Sequence, residues 1–145
     1  MKALIQRVSQ AQVAVDNEII GSIDQGLLIL LGVEKHDDEV LAEKLLSRVI
    51  NYRIFSDDEG KMNLSLLDIG GDLLVVSQFT LAANTQKGRR PSFTTAAPPE
   101  QGELLYQHFV TKAKAHVGRV QTGKFGADMK VSLTNDGPVT FMLEV

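Results

Sequence analysis

Residues 70–81 read GGDLLVVSQFTL. Two glycines and an acid signal a turn, and Leu73, Leu74, Val75 and Val76 follow without alternation. A short unbroken apolar run bounded by glycine predicts a strand buried on both faces. The run ends in Ser77, Gln78, Phe79, Thr80 and Leu81, which puts two hydroxyls and an amide where a rigid element stops. Reactive groups are held well at such ends. The plainer alternative is that Ser77 and Thr80 only satisfy backbone groups as the strand turns.

Upstream, residues 2–8 and 11–15 alternate apolar and polar side chains and predict two half-buried strands. Asp16-Asn17 predicts a hairpin turn into a third strand at 18–23, with Gly21 marking a bulge. Gly26 opens LLILLGV, a second buried strand. Residues 37–51 predict a helix: Asp37, Asp38 and Glu39 suit its first turn, and Leu41, Leu45, Leu46 and Val49 form an apolar stripe. Residues 52–55 read as a short strand and 56–60 as a turn whose acids lack the full calcium-loop spacing. Residues 62–67 are ambiguous, with a short strand one reading.

Downstream, residues 82–100 carry little periodicity and predict a long loop holding Lys87, Arg89 and Arg90. Pro98-Pro99 starts a second helix that buries Leu105, Tyr106, Phe109, Val110, Ala113 and Val117. Residues 121–126 read as a turn, 128–133 and 139–145 as strands, and Asn135-Asp136-Gly137-Pro138 as the turn between them. A Gly-Pro bond there is open to the cis form, and a rigid turn would expose the carbonyls of Gly137 and Pro138. An ordinary hairpin loop is the simpler alternative. Arg7, among apolar neighbours, reads as an outward or snorkelling side chain.

The 145 residues suggest one domain. With no cysteine, disulfides, thiolate metal sites and a cysteine nucleophile are excluded. His36, His108 and His116 lack metal-ligand spacing, so no metal or other cofactor is expected. The opening MKALIQRVSQ has no apolar h-region, and the longest apolar run, at 27–31, is too short for a bilayer. A cytoplasmic protein with no membrane partner is expected. The net charge of −3 conceals an asymmetry: residues 84–130 hold eight basic against three acidic side chains, leaving −8 elsewhere. That basic segment suits a phosphate-rich partner; an uneven solvated surface is the alternative.

SQFTLA at 77–82 and NDGPVT at 135–140 together resemble the D-aminoacyl-tRNA deacylase family. Supporting matches run nearly end to end: ALIQRV, GLLILLGVE, YRIFSDDEGKMN, RRPSF and ADMKVSLTNDGPVTF. The resemblance implies a single compact α/β domain over residues 1–145, its mixed β-sheets curving into a barrel-like arrangement with two main helices outside. It implies a homodimer with active sites at the interface, acting on the 3′-terminal adenosine and amino acid of aminoacyl-tRNA. Ser77, Gln78, Phe79 and Thr80 of one subunit would line the pocket, and Gly137 and Pro138 of the other would reach in through a cis bond. Arg7 would hold that turn inward, and Lys87, Arg89 and Arg90 are candidates for tRNA contact.

The expected chemistry is hydrolysis of an activated ester. Backbone amides near Phe79 and Thr80 would stabilise the oxyanion. Thr80 is either a nucleophile or a water-positioning group. With no base beside it, water attack assisted by the ribose 2′-hydroxyl is the favoured expectation. A Gly137-Pro138 wall would exclude L side chains while accepting D-aminoacyl and glycyl groups. The alternatives are a non-catalytic nucleic-acid-binding protein on the same fold, and a dimeric esterase for free metabolites, which no G-x-S-x-G motif supports.

Overall fold

A computed structural model describes all residues, 1–145. The predicted buried strand is the inner member of a mixed sheet. It is β6, Asp72–Ser77, and it runs parallel to β3, Gly26–Gly32, with Leu31 opposite Ser77. Side chains alternate across the sheet, so consecutive apolar residues serve two cores. Leu73 and Val75 join one core; Leu74 and Val76 join the other.

The first two predicted strands are one element, β1, Lys2–Val15. Its alternation changes phase at a bulge: Val8 pairs with Asn135 and Gln10 with Thr134, leaving Ser9 as the extra residue. Ala3 and Ile5 therefore enter one core, whereas Ala11 and Val13 enter the other. On one edge β1 pairs with β3 along its first half and with β2, Glu18–Ile23, along its second. The register between β1 and β2 shifts beside Gly21, as the sequence predicts.

The first helix, α1, is Glu39–Asn51, capped by Asp38, whose carboxylate accepts from the Leu41 amide. After it, β4 (Phe55–Ser56) pairs with β5 (Met62–Leu64). The ambiguous stretch then becomes a one-turn helix, α2 (Leu66–Ile69), with a reciprocal Ser65–Asp68 capping box. The second main helix, α3, is Pro99–Lys114. Both main helices pack on the same sheet face, where Leu45, Val49, Phe109 and Val110 meet Ile5, Ile29 and Val75. Glu43 on α1 joins Lys112 and His108 on α3, at 3.1 and 2.9 Å, and the Lys112 bond first, then the His108 bond, keeps the Glu43 carboxyl below its usual range.

Residues 52–54 form no strand, β4 beginning only at Phe55, and two further expectations fail. Residues 121–126 are not wholly a turn: Val120–Thr122 forms β7, parallel to β6. The closing residues are not a hairpin either, because Lys130–Glu144 is one strand, β8, and both its limbs pair with β1. Edge strands β2 and β7 curve towards each other until a Cβ on Gly21 would lie 2.9 Å from the Thr122 carbonyl oxygen. The α/β domain is thus nearly closed and barrel-like, with α1, α3 and the short α2 outside it. No helix is long and apolar enough to cross a membrane.

Candidate active site

The β3–β6 ladder extends one residue past β6, since the Gln78 amide donates to the Leu31 carbonyl at 2.8 Å. The chain then winds into a 3-10 turn, Phe79–Ala82. Phe79 and Thr80 open this turn, so the turn's own ladder supplies no acceptor for their amides. Gln78 Nε2 donates to Thr80 Oγ1 and holds the hydroxyl at the turn's outer edge.

Ser77, Gln78 and Phe79 border a cleft of about 600 Å³. Its remaining wall is mostly apolar and includes Val33, Phe93, Tyr106, Phe125 and Met129. The Phe79 and Phe93 rings are 5.2 Å apart and tilted by 50°, yet 60 % and 41 % exposed. Two aromatic faces thus stand open at the cleft. Tyr106 lies behind them, 2 % exposed, its hydroxyl donating to the Val75 carbonyl at 2.9 Å. Burial pushes its phenol up to about 12, against the opposing hydrogen bond from Thr122. The cleft holds no carboxylate and no histidine; His108 is engaged with α1.

Gly137 and Pro138 lie elsewhere. On β1, Gln6 pairs with Thr140 and Val8 with Asn135, so residues 136–139 form an excursion opposite Arg7. The Gly137–Pro138 bond is cis, and both residues are exposed. Arg7 is not an outward side chain. Only 13 % exposed, it donates from Nε to the Asp136 carbonyl and from Nη1 to the Ile54 carbonyl, each at 2.9 Å. Asn135 closes the base of the excursion, accepting from the Val139 amide at 3.0 Å and donating to Thr140 Oγ1 at 2.9 Å. Gly137 has φ of +134°, and a Cβ there would meet Arg7 Nη2 at 3.0 Å. Glycine therefore lets the turn close onto the guanidinium.

One protomer therefore gathers Ser77, Gln78 and Phe79 at the cleft, with Thr80 exposed beside them and not lining it, and separately gathers Arg7, Gly137 and Pro138. None of the latter three lines the cleft. Lys87, Arg89 and Arg90 form the exposed tip of a small hairpin stapled by paired Asn84–Ser92 amides and carbonyls. Phe93, Tyr106, Phe125 and Asn135 escaped the sequence reading as site residues. The first was visible only within the RRPSF match, and Tyr106 as a helix core position.

The model of the family described as D-Tyr-tRNA(Tyr) deacylase matches residues 4–144. D-aminoacyl-tRNA deacylase of Pseudomonas aeruginosa (strain LESB58) is 62 % identical over 144 residues, 99 % of each chain. The protein of the same name from Pseudoalteromonas translucida (strain TAC 125) is 63 % identical over 145 residues, the whole of both chains. Among solved structures, "c-Myc DNA Unwinding Element Binding Protein" superposes with a TM-score of 0.95 at 40 % identity, covering 100 % of this chain and 99 % of that one. A probable eukaryotic D-amino acid tRNA deacylase shares the fold, with a TM-score of 0.86 at 18 % identity over 99 % and 98 % of the two chains. On full-length identity and the matched family model, the chain belongs to the D-Tyr-tRNA(Tyr) deacylase family.

Proposed function

We propose that this protein hydrolyses the ester of D-aminoacyl-tRNA, releasing the amino acid and tRNA. The observation carrying the proposal is identity above 60 % over the whole chain to proteins named for that activity. The cleft chemistry supports it. An aminoacyl ester is already activated, so positioning and oxyanion stabilisation are sufficient catalysis. The Phe79 and Thr80 amides are the donors for the developing oxyanion. The terminal adenine stacks on the exposed side of the Phe79–Phe93 pair, where stacking contributes about 1–3 kcal/mol. Water attacks with help from the ribose 2′-hydroxyl, and Thr80 positions rather than attacks, because no base accompanies its hydroxyl.

Chirality is read by the Gly137-Pro138 excursion of a second copy. Its two carbonyls grip the substrate ammonium, so an L side chain would point into the wall and a D side chain away from it. Glycyl-tRNA passes because glycine has no side chain to reject. The rigid setting of the excursion between Arg7 and Asn135 supports this role. A cytoplasmic homodimer follows from the same reading.

A second reading, nucleic-acid binding without catalysis, draws on the name of the 40 % identical structure. Incubation with D-tyrosyl-tRNA, L-tyrosyl-tRNA and a free D-tyrosine ester separates the two. The proposal expects rapid loss of the D-tyrosyl-tRNA ester alone, and no ester cleavage refutes it. Thr80→Ala should retain at least a tenth of the rate, whereas loss matching a missing nucleophile would restore the acyl-threonine route.

A further inference from the structure

The charge asymmetry of residues 84–130 resolves into two populations. Lys112, Arg119 and Lys130 are held by carboxylates: Glu43, Asp24 with Asp72, and Asp128 respectively. Lys87, Arg89, Arg90 and Lys124 have no carboxylate within 4 Å, and all four are exposed; the same holds for Lys114, at the end of α3. The first four are not scattered. The first three crown the Asn84–Ser92 hairpin, whose tip turns through Gly88 at φ of +75°. Phe93 lies one residue beyond that hairpin and lines the cleft. Lys124 immediately precedes Phe125, which lines the same cleft.

The hairpin is also anchored. Asn84 and Ser92 exchange both backbone hydrogen bonds, at 2.8 and 3.0 Å. Thr95 Oγ1 donates to the Ala82 carbonyl, and the Ala97 amide donates to the Val33 carbonyl at 3.0 Å. The return limb is thereby tied to the turn carrying Thr80 and to the residue following β3. The cations therefore stand at a fixed rim of the cleft.

We infer that Lys87, Arg89, Arg90 and Lys124 form a phosphate-binding rim that carries the unpaired 3′ strand of an RNA into the cleft. This rests on the deacylase reading and extends it from the terminal nucleoside to the strand behind it. Cations beside open aromatic rings are the combination that single-stranded nucleic acid uses: phosphates meet the charges and bases meet the rings. An acidic protein partner would need the charges but leave the Phe79 and Phe93 faces without a role. The negative remainder of the chain confines such binding to the rim.

The test compares wild type with the quadruple variant Lys87→Gln, Arg89→Gln, Arg90→Gln, Lys124→Gln on two substrates. D-tyrosyl-tRNA carries the phosphates; D-tyrosyl-adenosine carries none. Four contacts to a single strand correspond to a log–log salt slope of about −2.8, or about 50-fold in affinity between 50 and 200 mM salt. The variant should lose that salt dependence and show a raised KM for D-tyrosyl-tRNA, with kcat/KM on D-tyrosyl-adenosine within about twofold of wild type. An unchanged KM and slope on tRNA overturns the rim alone. Equal losses on both substrates also overturn it, by showing damage to the cleft. Duplex DNA competing as well as deacylated tRNA overturns the assignment to an unpaired RNA end. Wild-type protein inert on both esters overturns the deacylase reading itself.

Discussion

Replacing Arg7 by alanine should loosen the reading of chirality more than it harms the chemistry. The guanidinium spans two backbone carbonyls, those of Asp136 and Ile54, at 2.9 Å each. Hydrogen bonds from charged donors contribute about 1.5–3 kcal/mol each. The Asp136 carbonyl belongs to an exposed excursion where water can replace the lost donor, so the lower figure applies there. Losing about 1.5 kcal/mol shifts the population of the held excursion by about tenfold. Preference for D- over L-tyrosyl-tRNA, taken as a ratio of kcat/KM values, should then fall by about that factor. Both lost bonds together cost about 3 kcal/mol of stability, a Tm drop of about 6–12 °C. The assays therefore belong at least ten degrees below the variant's own midpoint. Glycyl-tRNA supplies the internal control, because a substrate without a side chain has nothing for the wall to reject. Its rate relative to D-tyrosyl-tRNA should hold steady while the L-tyrosyl rate rises. A folded Arg7→Ala protein that rejects L-tyrosyl-tRNA as well as wild type would refute the reasoning.

Two further predictions concern the framework behind the cleft. Burial lifts the Tyr106 phenol to about 12 from 10, so the folded state keeps it neutral while the unfolded chain ionises near 10. The resulting contribution, about 3 kcal/mol, is complete below pH 10 and is lost as pH rises towards 12; Tyr106→Phe should lack this part of the alkaline decline in urea titrations, and an identical decline would contradict it. A Cβ on Gly26 would lie 1.9 Å from the Asp72 carbonyl oxygen, and its nearest neighbours are all Asp72 backbone atoms, with no side chain free to yield. Gly26→Ala should therefore cost about 3 kcal/mol or more and lower Tm by about 6–12 °C in calorimetry, whereas an unchanged midpoint would show that β3 and β6 can separate freely.

Local chemistry made some of this molecule legible and left the rest to long-range pairing. The run Leu73–Val76 announces β6 because both sheet faces are covered, so neither face needs a polar residue. In β1 the sequence shows a real change of phase at Ser9 but cannot say whether the chain breaks or bulges; only the β8 register distinguishes them. Asn-Asp-Gly-Pro marks an irregularity, but inside one strand and not a turn between two. Whether its limbs pair with each other or with a third strand is not encoded in those four residues. Val120–Thr122 is three half-buried residues beside glycines, and it is a strand only because β6 offers it a ladder. The same division runs through the site. Ser77–Thr80 stands out because polar groups end an apolar strand. Phe93, Tyr106 and Phe125 are ordinary apolar positions until the fold sets them around one cleft.

The order of strands bears on how such a site could be completed. From β8 to β6 the path is β8, β1, β3, β6, three steps of about 4.8 Å, or about 14 Å across the sheet. Along the strands, Arg7 stands opposite Leu27 and Ser77 opposite Leu31, four residues or about 13 Å apart. Measured along the sheet, the Gly137-Pro138 excursion and the Ser77 strand end are therefore separated by about 19 Å. In an aminoacyl ester the ammonium and the reacting carbonyl are two bonds apart. Within one protomer the excursion does not line the cleft, so the two motifs do not already face a common ester. If both act on it, a second copy must bring its excursion to the first copy's cleft, and a mixed dimer offers the decisive experiment. One subunit would carry a cleft disabled at Phe79 and the other an excursion disabled at Gly137. Working clefts would then pair with intact excursions only across the interface, leaving one competent site in two. Half the wild-type activity with full discrimination is expected; a mixed dimer that hydrolyses L-tyrosyl-tRNA at every working cleft would show that each excursion serves its own chain.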